Sequence, residues 1–191
     1  EVERMGGSPY LCLKMKDGEL LNTHLIGTYN LPNILAAITV GNYFKVPYEE
    51  CLEAIRKYLP QNHRSQSIET ESNSLIMDAY NANPTSMRAA IENFSELECP
   101  KKLLILGDML ELGENSKKEH EQIAQLLREK GLDNVYMVGH EFSNLGADSL
   151  YLKFEDVEQL CKYLENNKPK ENLILIKGSR SIHLERALQM L

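Results

Sequence analysis

The most constraining feature of this chain is a set of short apolar runs that alternate with segments of helical period. Leu75-Ile76-Met77, Leu103-Leu104-Ile105-Leu106, Val135-Tyr136-Met137-Val138 and Leu173-Ile174-Leu175-Ile176 are too short for buried helices and read as buried strands. Between them lie stretches that repeat apolar residues every three or four positions, at about 85–97, 117–130 and 157–166. A short helix near 141–144, a weak strand at 150–154 and a last helix over about 182–190 complete the pattern. Strands alternating with helices imply a mostly parallel sheet with helices on both faces, and right-handed crossovers make it Rossmann-like.

The first third of the chain differs. Tyr10–Lys16 and Leu20–Ile26 alternate apolar and polar residues around Asp17-Gly18, which predicts a β-hairpin. Helices follow at about 30–43 and 48–58, and Pro60-Gln61-Asn62-His63 breaks the period. The boundary is placed there, giving one domain over residues 1–61 and another over 62–191. The start, Glu1-Val2-Glu3-Arg4, is neither a signal peptide nor an initiator methionine and is read as lying inside a longer protein.

In a parallel sheet, ligands bind outside the carboxyl ends of the strands. Three strand ends here carry polar or small groups: Asp78-Ala79-Tyr80-Asn81-Ala82-Asn83-Pro84, Gly107-Asp108-Met109-Leu110-Glu111-Leu112-Gly113, and Lys177-Gly178-Ser179-Arg180. They are expected to converge. Lys177, Ser179 and Arg180 ahead of a helix would make an anion cradle. The competing reading is plain helix capping, which Asn, Asp, Ser and Pro favour without any ligand.

Several classes of function are disfavoured. The net charge of −7 leaves no electrostatic footprint for nucleic acid or an anionic membrane, and no apolar run approaches the length of a bilayer span. Cys12, Cys51, Cys99 and Cys161 form no C-x-x-C pair and are read as reduced structural thiols of a cytoplasmic protein. The 191 residues contain no G-x-x-x-x-G-K-[ST] phosphate loop, G-x-G-x-x-G fingerprint or G-x-S-x-G elbow.

The motifs Gly27-Thr28-Tyr29-Asn30-Leu31-Pro32-Asn33, Asp78 to Met87, Gly107 to Gly113 and Lys177 to Arg180, in this order, resemble those of the Mur ligases of peptidoglycan synthesis. The Tyr80–Pro84 and Gly107–Gly113 motifs are most similar to those of the branch that adds D-alanyl-D-alanine. The resemblance implies that residues 1–61 are the C-terminal part of an ATP-binding domain and 62–191 the complete C-terminal domain. It implies a monomer carrying out ATP-dependent amide formation through an acyl phosphate, with UDP-N-acetylmuramoyl-tripeptide and D-alanyl-D-alanine as substrates. It assigns ATP to Asn30, Asn33, Arg64 and Asp78, and the dipeptide to Asn81, Asn83, Ser179 and Arg180. It places Mg2+ mainly in a part of the ATP domain outside this chain, so the chain alone is expected to be inactive, with no catalytic residue or metal ligand of its own. His120 is read as a structural support of the Asp108–Gly113 loop. The alternatives are a ligase of the folylpolyglutamate type with another amino-acid substrate, and a nucleotide- or peptide-binding module without catalysis.

Overall fold

The structure is a computed structural model that describes residues 3–5, 9–16, 18–146 and 150–191, the side chains of residues 3–5 excepted. The chain divides into two compact units, Glu1–Gln61 and Asn62–Leu191.

The first unit is a three-stranded antiparallel sheet with two helices. β1 (Glu3–Met5) pairs with β2 (Tyr10–Lys14), and β2 with β3 (Leu20–Ile26). The hairpin is therefore present, although Asp17 of its turn, like Glu1 and Val2 of the start, lies outside the described residues. β1 is an addition to the sequence reading, since three residues carry too little alternation to register. A turn of 3-10 helix at Thr28–Asn30 leads into α1 (Leu31–Tyr43), and α2 (Tyr48–Lys57) follows. Leu11, Leu13 and Leu21 from the sheet pack with Ile34, Ile38, Leu52 and Ile55 from the helices. α2 has Glu49 and Glu50 in its first turn and Arg56 and Lys57 in its last, the charge order that suits its dipole.

The second unit is the expected mostly parallel sheet. β4 (Gln66–Glu69), β5 (Ser74–Asp78), β6 (Lys102–Gly107), β7 (Val135–Val138), β8 (Leu152–Phe154) and β9 (Leu173–Lys177) lie in the order β4-β5-β9-β6-β7-β8. Only β4 runs antiparallel, through its hairpin with β5. The helices are α3 (Pro84–Glu96), α4 (Ser116–Glu129), α5 (His140–Ser143) and α6 (Val157–Asn166). Successive strand residues point to opposite faces. Leu75, Met77, Leu103, Ile105, Ile174 and Ile176 share one core with Leu160 and Leu164 of α6 and with Leu184 and Ala187. Their neighbours Ile76, Leu104, Leu106 and Leu175 are equally buried on the other face, where α3 and α4 supply Met87, Ile91, Phe94, Ile123 and Leu127. Burial on both sides explains why these strands read as unbroken apolar runs.

Two expectations are corrected at the C-terminal end. The last helix is not one α-helix but two 3-10 segments, Arg180–Ile182 and Leu184–Met190. His183 between them takes a left-handed conformation, φ 58°, which ends one segment and redirects the chain into the next. Consequently no long helix begins beside Ser179, and the anion cradle expected from a helix N-terminus has no helix behind it.

Candidate functional site

The carboxyl ends of β5, β6 and β9 form one edge of the second unit, and their polar residues interlock. Asp78 and Lys177 stand opposite each other in the β5–β9 register. Lys177 Nζ donates to Asp78 Oδ2 at 2.6 Å and to the Asn81 carbonyl at 3.3 Å. The lysine is only 2% exposed. This corrects its expected place in an anion cradle: a buried ammonium is costly unless paired, and here its charge is spent on Asp78. The Ser65 backbone N–H also donates to Asp78, through Oδ1 at 3.2 Å. A carboxylate has about four lone-pair positions, so Asp78 keeps acceptor capacity for hydroxyl groups.

The Asn83 side chain is the N-cap of α3. Its Oδ1 accepts the Ser86 N–H at 2.8 Å, and Ser86 Oγ accepts the Asn83 N–H at 3.2 Å. This reciprocal box, with Pro84 at the first helical position, fixes where the helix starts. The capping reading therefore holds for the Asn83 carbonyl oxygen. Asn81 is exposed at the same turn, its Oδ1 on the Ala82 N–H.

The β6 end is held from two directions. Ser179 Oγ accepts the Leu110 N–H at 3.0 Å, and the Ser179 N–H donates to the Asp108 carbonyl. The Ser179 hydroxyl keeps its own proton for donation. His120, fully buried on α4, accepts the Met109 N–H on Nε2 at 3.0 Å, and its Nδ1 lies 2.8 Å from the Ser116 carbonyl. That pattern requires the neutral Nδ1–H tautomer, and His120 supports the loop as the sequence suggested. Asp108 accepts the N–H groups of Glu141 and Phe142 at 2.8 and 3.0 Å, while burial pushes its carboxyl up. The backbones of β6 and β9 meet at Gly107 and Gly178, where a Cβ on Gly178 would stand 2.9 Å from Gly107 Cα.

Around this frame lies a cluster the sequence did not disclose. The Arg64 guanidinium carbon sits 3.6 Å from the centre of the Tyr80 ring, and that of Arg180 sits 5.2 Å from it. Both arginines are exposed, and neither has a carboxylate partner among the described residues. The Arg64 guanidinium, followed by that of Arg180, holds the Tyr80 phenol below its usual range. Residues assigned in sequence to two different ligands thus share one aromatic ring. No spacing rule would have found this contact, because Arg64 precedes β4 and Arg180 follows β9.

Asn30 and Asn33 belong to the first unit. Asn30 is buried, with its amide donating to the Ile26 carbonyl at 2.8 Å and its Oδ1 accepting from Asn33 Nδ2 at 3.0 Å. Asn33 is exposed, so of the two it alone presents its side chain outward. No group of three His, Cys, Asp or Glu side chains among the described residues could hold a metal ion. All four cysteines are free thiols, and no described helix is long and apolar enough to cross a membrane.

Comparison with known proteins accords with this geometry. Residues 63–180 match the family model for the Mur ligase, glutamate ligase domain. The UDP-N-acetylmuramoyl-tripeptide–D-alanyl-D-alanine ligase of Bacillus subtilis is 35% identical over 174 residues, 86% of this chain and 38% of that protein. The Treponema pallidum protein of the same name is 31% identical over 176 residues, 88% of this chain and again 38% of that protein. This chain therefore spans well under half the length of the curated relatives it matches. Among solved structures, the UDP-N-acetylmuramoylalanyl-D-glutamyl-2,6-diaminopimelate–D-alanyl-D-alanyl ligase from Acinetobacter baumannii superposes with a TM-score of 0.82 at 27% identity, covering 99% of this chain and 42% of that one. The MurF ligase from Thermotoga maritima in complex with ADP gives 0.79 at 25% identity, covering all of this chain and 44% of that one. With its six-stranded sheet, its interlocked strand ends and a family match over most of its length, the chain belongs to the Mur ligase family.

Proposed function

We propose that this chain is the nucleotide- and dipeptide-binding part of a cytoplasmic, monomeric, ATP-dependent ligase that joins D-alanyl-D-alanine to UDP-N-acetylmuramoyl-tripeptide. The observation that carries it is the set of Arg64, Asp78, Ser179 and Arg180 at one sheet edge, in a chain 35% identical to a ligase of that name. The peptide carboxylate oxygen attacks the γ-phosphorus of ATP, and ADP leaves. The dipeptide amine then attacks the acyl phosphate carbon, the tetrahedral intermediate expels inorganic phosphate, and the nitrogen loses a proton. Such chemistry needs positioning and charge neutralisation more than a protein nucleophile.

Each assigned residue has a suitable group to offer. Arg64 presents a planar fork to phosphate oxygens. Asp78 has unused lone pairs for ribose hydroxyls, and Asn33 has an amide able to donate and accept along a base edge. The buried Asn30 acts on Asn33 by accepting its amide. Arg180 suits the dipeptide carboxylate, with Asn81, the Asn83 amino group and the Ser179 hydroxyl proton as further donors. A Mg2+ ion would supply charge neutralisation at the phosphates, but the described residues offer no group of three His, Cys, Asp or Glu side chains to hold it.

Three results test the reading. The isolated chain, given ATP, both proposed substrates and Mg2+, is expected to release no ADP above background, since it has no phosphate loop; substrate-dependent ADP release from it would refute this division of labour. In an intact ligase containing this chain, phosphate release should require both proposed substrates, and glutamate in place of the dipeptide should give none. There Arg64→Lys should lower turnover about tenfold, because the charge stays but the two-pronged geometry is lost. The melting temperature should hold, because Arg64 is exposed. A lowered melting temperature with intact turnover would make Arg64 a structural residue instead.

A further inference from the structure

Tyr80 is given no role by the ligand assignments above, yet it touches two of the residues they use. Its half-exposed ring carries the Arg64 guanidinium at 3.6 Å and the Arg180 guanidinium at 5.2 Å. The two like charges must lie within the sum of those distances of each other, and neither is in an ion pair with a carboxylate among the described residues. Two flexible, exposed arginines would otherwise swing apart, driven by repulsion and side-chain entropy. An aromatic face attracts both through its quadrupole and so holds them together. The ring in turn is anchored at the turn that Lys177 fixes by donating to the Asn81 carbonyl.

We propose that Tyr80 is a positioning residue that holds Arg64 and Arg180 as a pair, and that this pair binds the phosphate and the dipeptide carboxylate cooperatively. The inference rests on the functional reading above. An anion on one guanidinium relieves the repulsion that the other feels, and the shared ring keeps the second cation within reach. The part of Tyr80 that holds the pair is the ring face, against which both guanidiniums lie.

The test uses Tyr80→Ala and Tyr80→Phe in the intact ligase containing this chain. Tyr80→Ala should raise KM for both ATP and D-alanyl-D-alanine about fivefold or more, with an unchanged melting temperature. Tyr80→Phe should restore both constants to within about twofold. Kinetics unaltered by Tyr80→Ala, or equal losses in both variants, would overturn the proposal while leaving the functional reading in place. A wild-type ligase inactive with these substrates would instead refute the functional reading. A second measurement then judges the pair alone. Phenol ionisation is followed at 295 nm on this chain, with Tyr80 identified by subtracting the Tyr80→Phe curve. Millimolar inorganic pyrophosphate should move the Tyr80 step to higher pH by neutralising the guanidiniums. A step that pyrophosphate leaves in place would show that the two arginines do not form an anion site.

Discussion

Lys177→Ala is expected to destabilise the second unit by about 3 kcal/mol, the lower end of the cost of breaking a buried ion pair, and to lower its melting temperature by roughly 10 °C. The ammonium is 2% exposed and satisfies two acceptors, Asp78 at the β5 end and the Asn81 carbonyl just beyond it. Without it, the Asp78 carboxylate keeps the Ser65 N–H donor in a site only 15% accessible. The Asn81 carbonyl loses its donor too, so the Tyr80–Asn83 turn should loosen with the core. The partial access of Asp78 to water keeps the cost from reaching the upper end. Thermal unfolding followed by circular dichroism checks the single variant. The double variant Lys177→Met with Asp78→Leu should recover most of the loss, because an apolar pair of similar volume often replaces a buried ion pair without penalty. A single-variant cost under about 1 kcal/mol, well below the range for a buried pair, would mean that the pair does not hold the strand ends together.

Gly139→Ala should cost about 2–5 kcal/mol, from backbone strain and overpacking acting together. Gly139 ends β7 at φ 122°, ψ 166°, a conformation that other residues rarely hold. A Cβ there would meet Asp108 Cγ and Oδ2 at 2.3 Å. That carboxylate cannot retreat freely, since it accepts the Glu141 and Phe142 N–H groups and lies 3.7 Å from His120 Nε2. Denaturant unfolding of Gly139→Ala, Asp108→Ala and the double variant forms a cycle. The double variant should be clearly less damaged than the sum of the singles, because removing the carboxylate makes room for the methyl group. Simple additivity would put the whole effect in the backbone and none in the contact with Asp108.

Period alone located most of the fold, because the strands are buried on both faces and the helices carry clear apolar stripes. Val135–Val138 and Val157–Asn166 stand where the pattern puts them. The pattern failed where it could not separate one helix type from another. Leu184, Ala187 and Leu188 recur at intervals that suit either an α-helix or a 3-10 helix, and the left-handed turn at His183 leaves no trace in hydropathy. The topological rule correctly brought three strand ends to one edge. What each polar group does there was not legible, because it depends on register. Lys177 at the end of an apolar run looks like a charge reaching for solvent, until its alignment with Asp78 makes it an internal partner. Asn83 is likewise divided between a cap and a ligand by a hydrogen bond to Ser86 that composition permits but cannot demand.

The strand order has a consequence for how this unit comes into being. β9 is the sixth of its strands to leave the ribosome, yet it occupies the middle of the sheet, between β5 and β6. Until it arrives, the nascent chain can assemble only the β4–β5 hairpin and a β6-β7-β8 ribbon, each with an unpaired apolar edge facing the gap. Such edges invite pairing with other chains, so the interval before β9 emerges is when this protein is most prone to aggregate. The same insertion delivers Lys177 and Ser179 to partners 99 and 69 residues earlier in the chain, and Arg180 to the Tyr80 ring. The interlocked strand-end cluster therefore cannot exist in any partly made chain. It is completed in the same event that closes the sheet, so a chain that stops short of β9 lacks the Lys177, Ser179 and Arg180 contacts altogether.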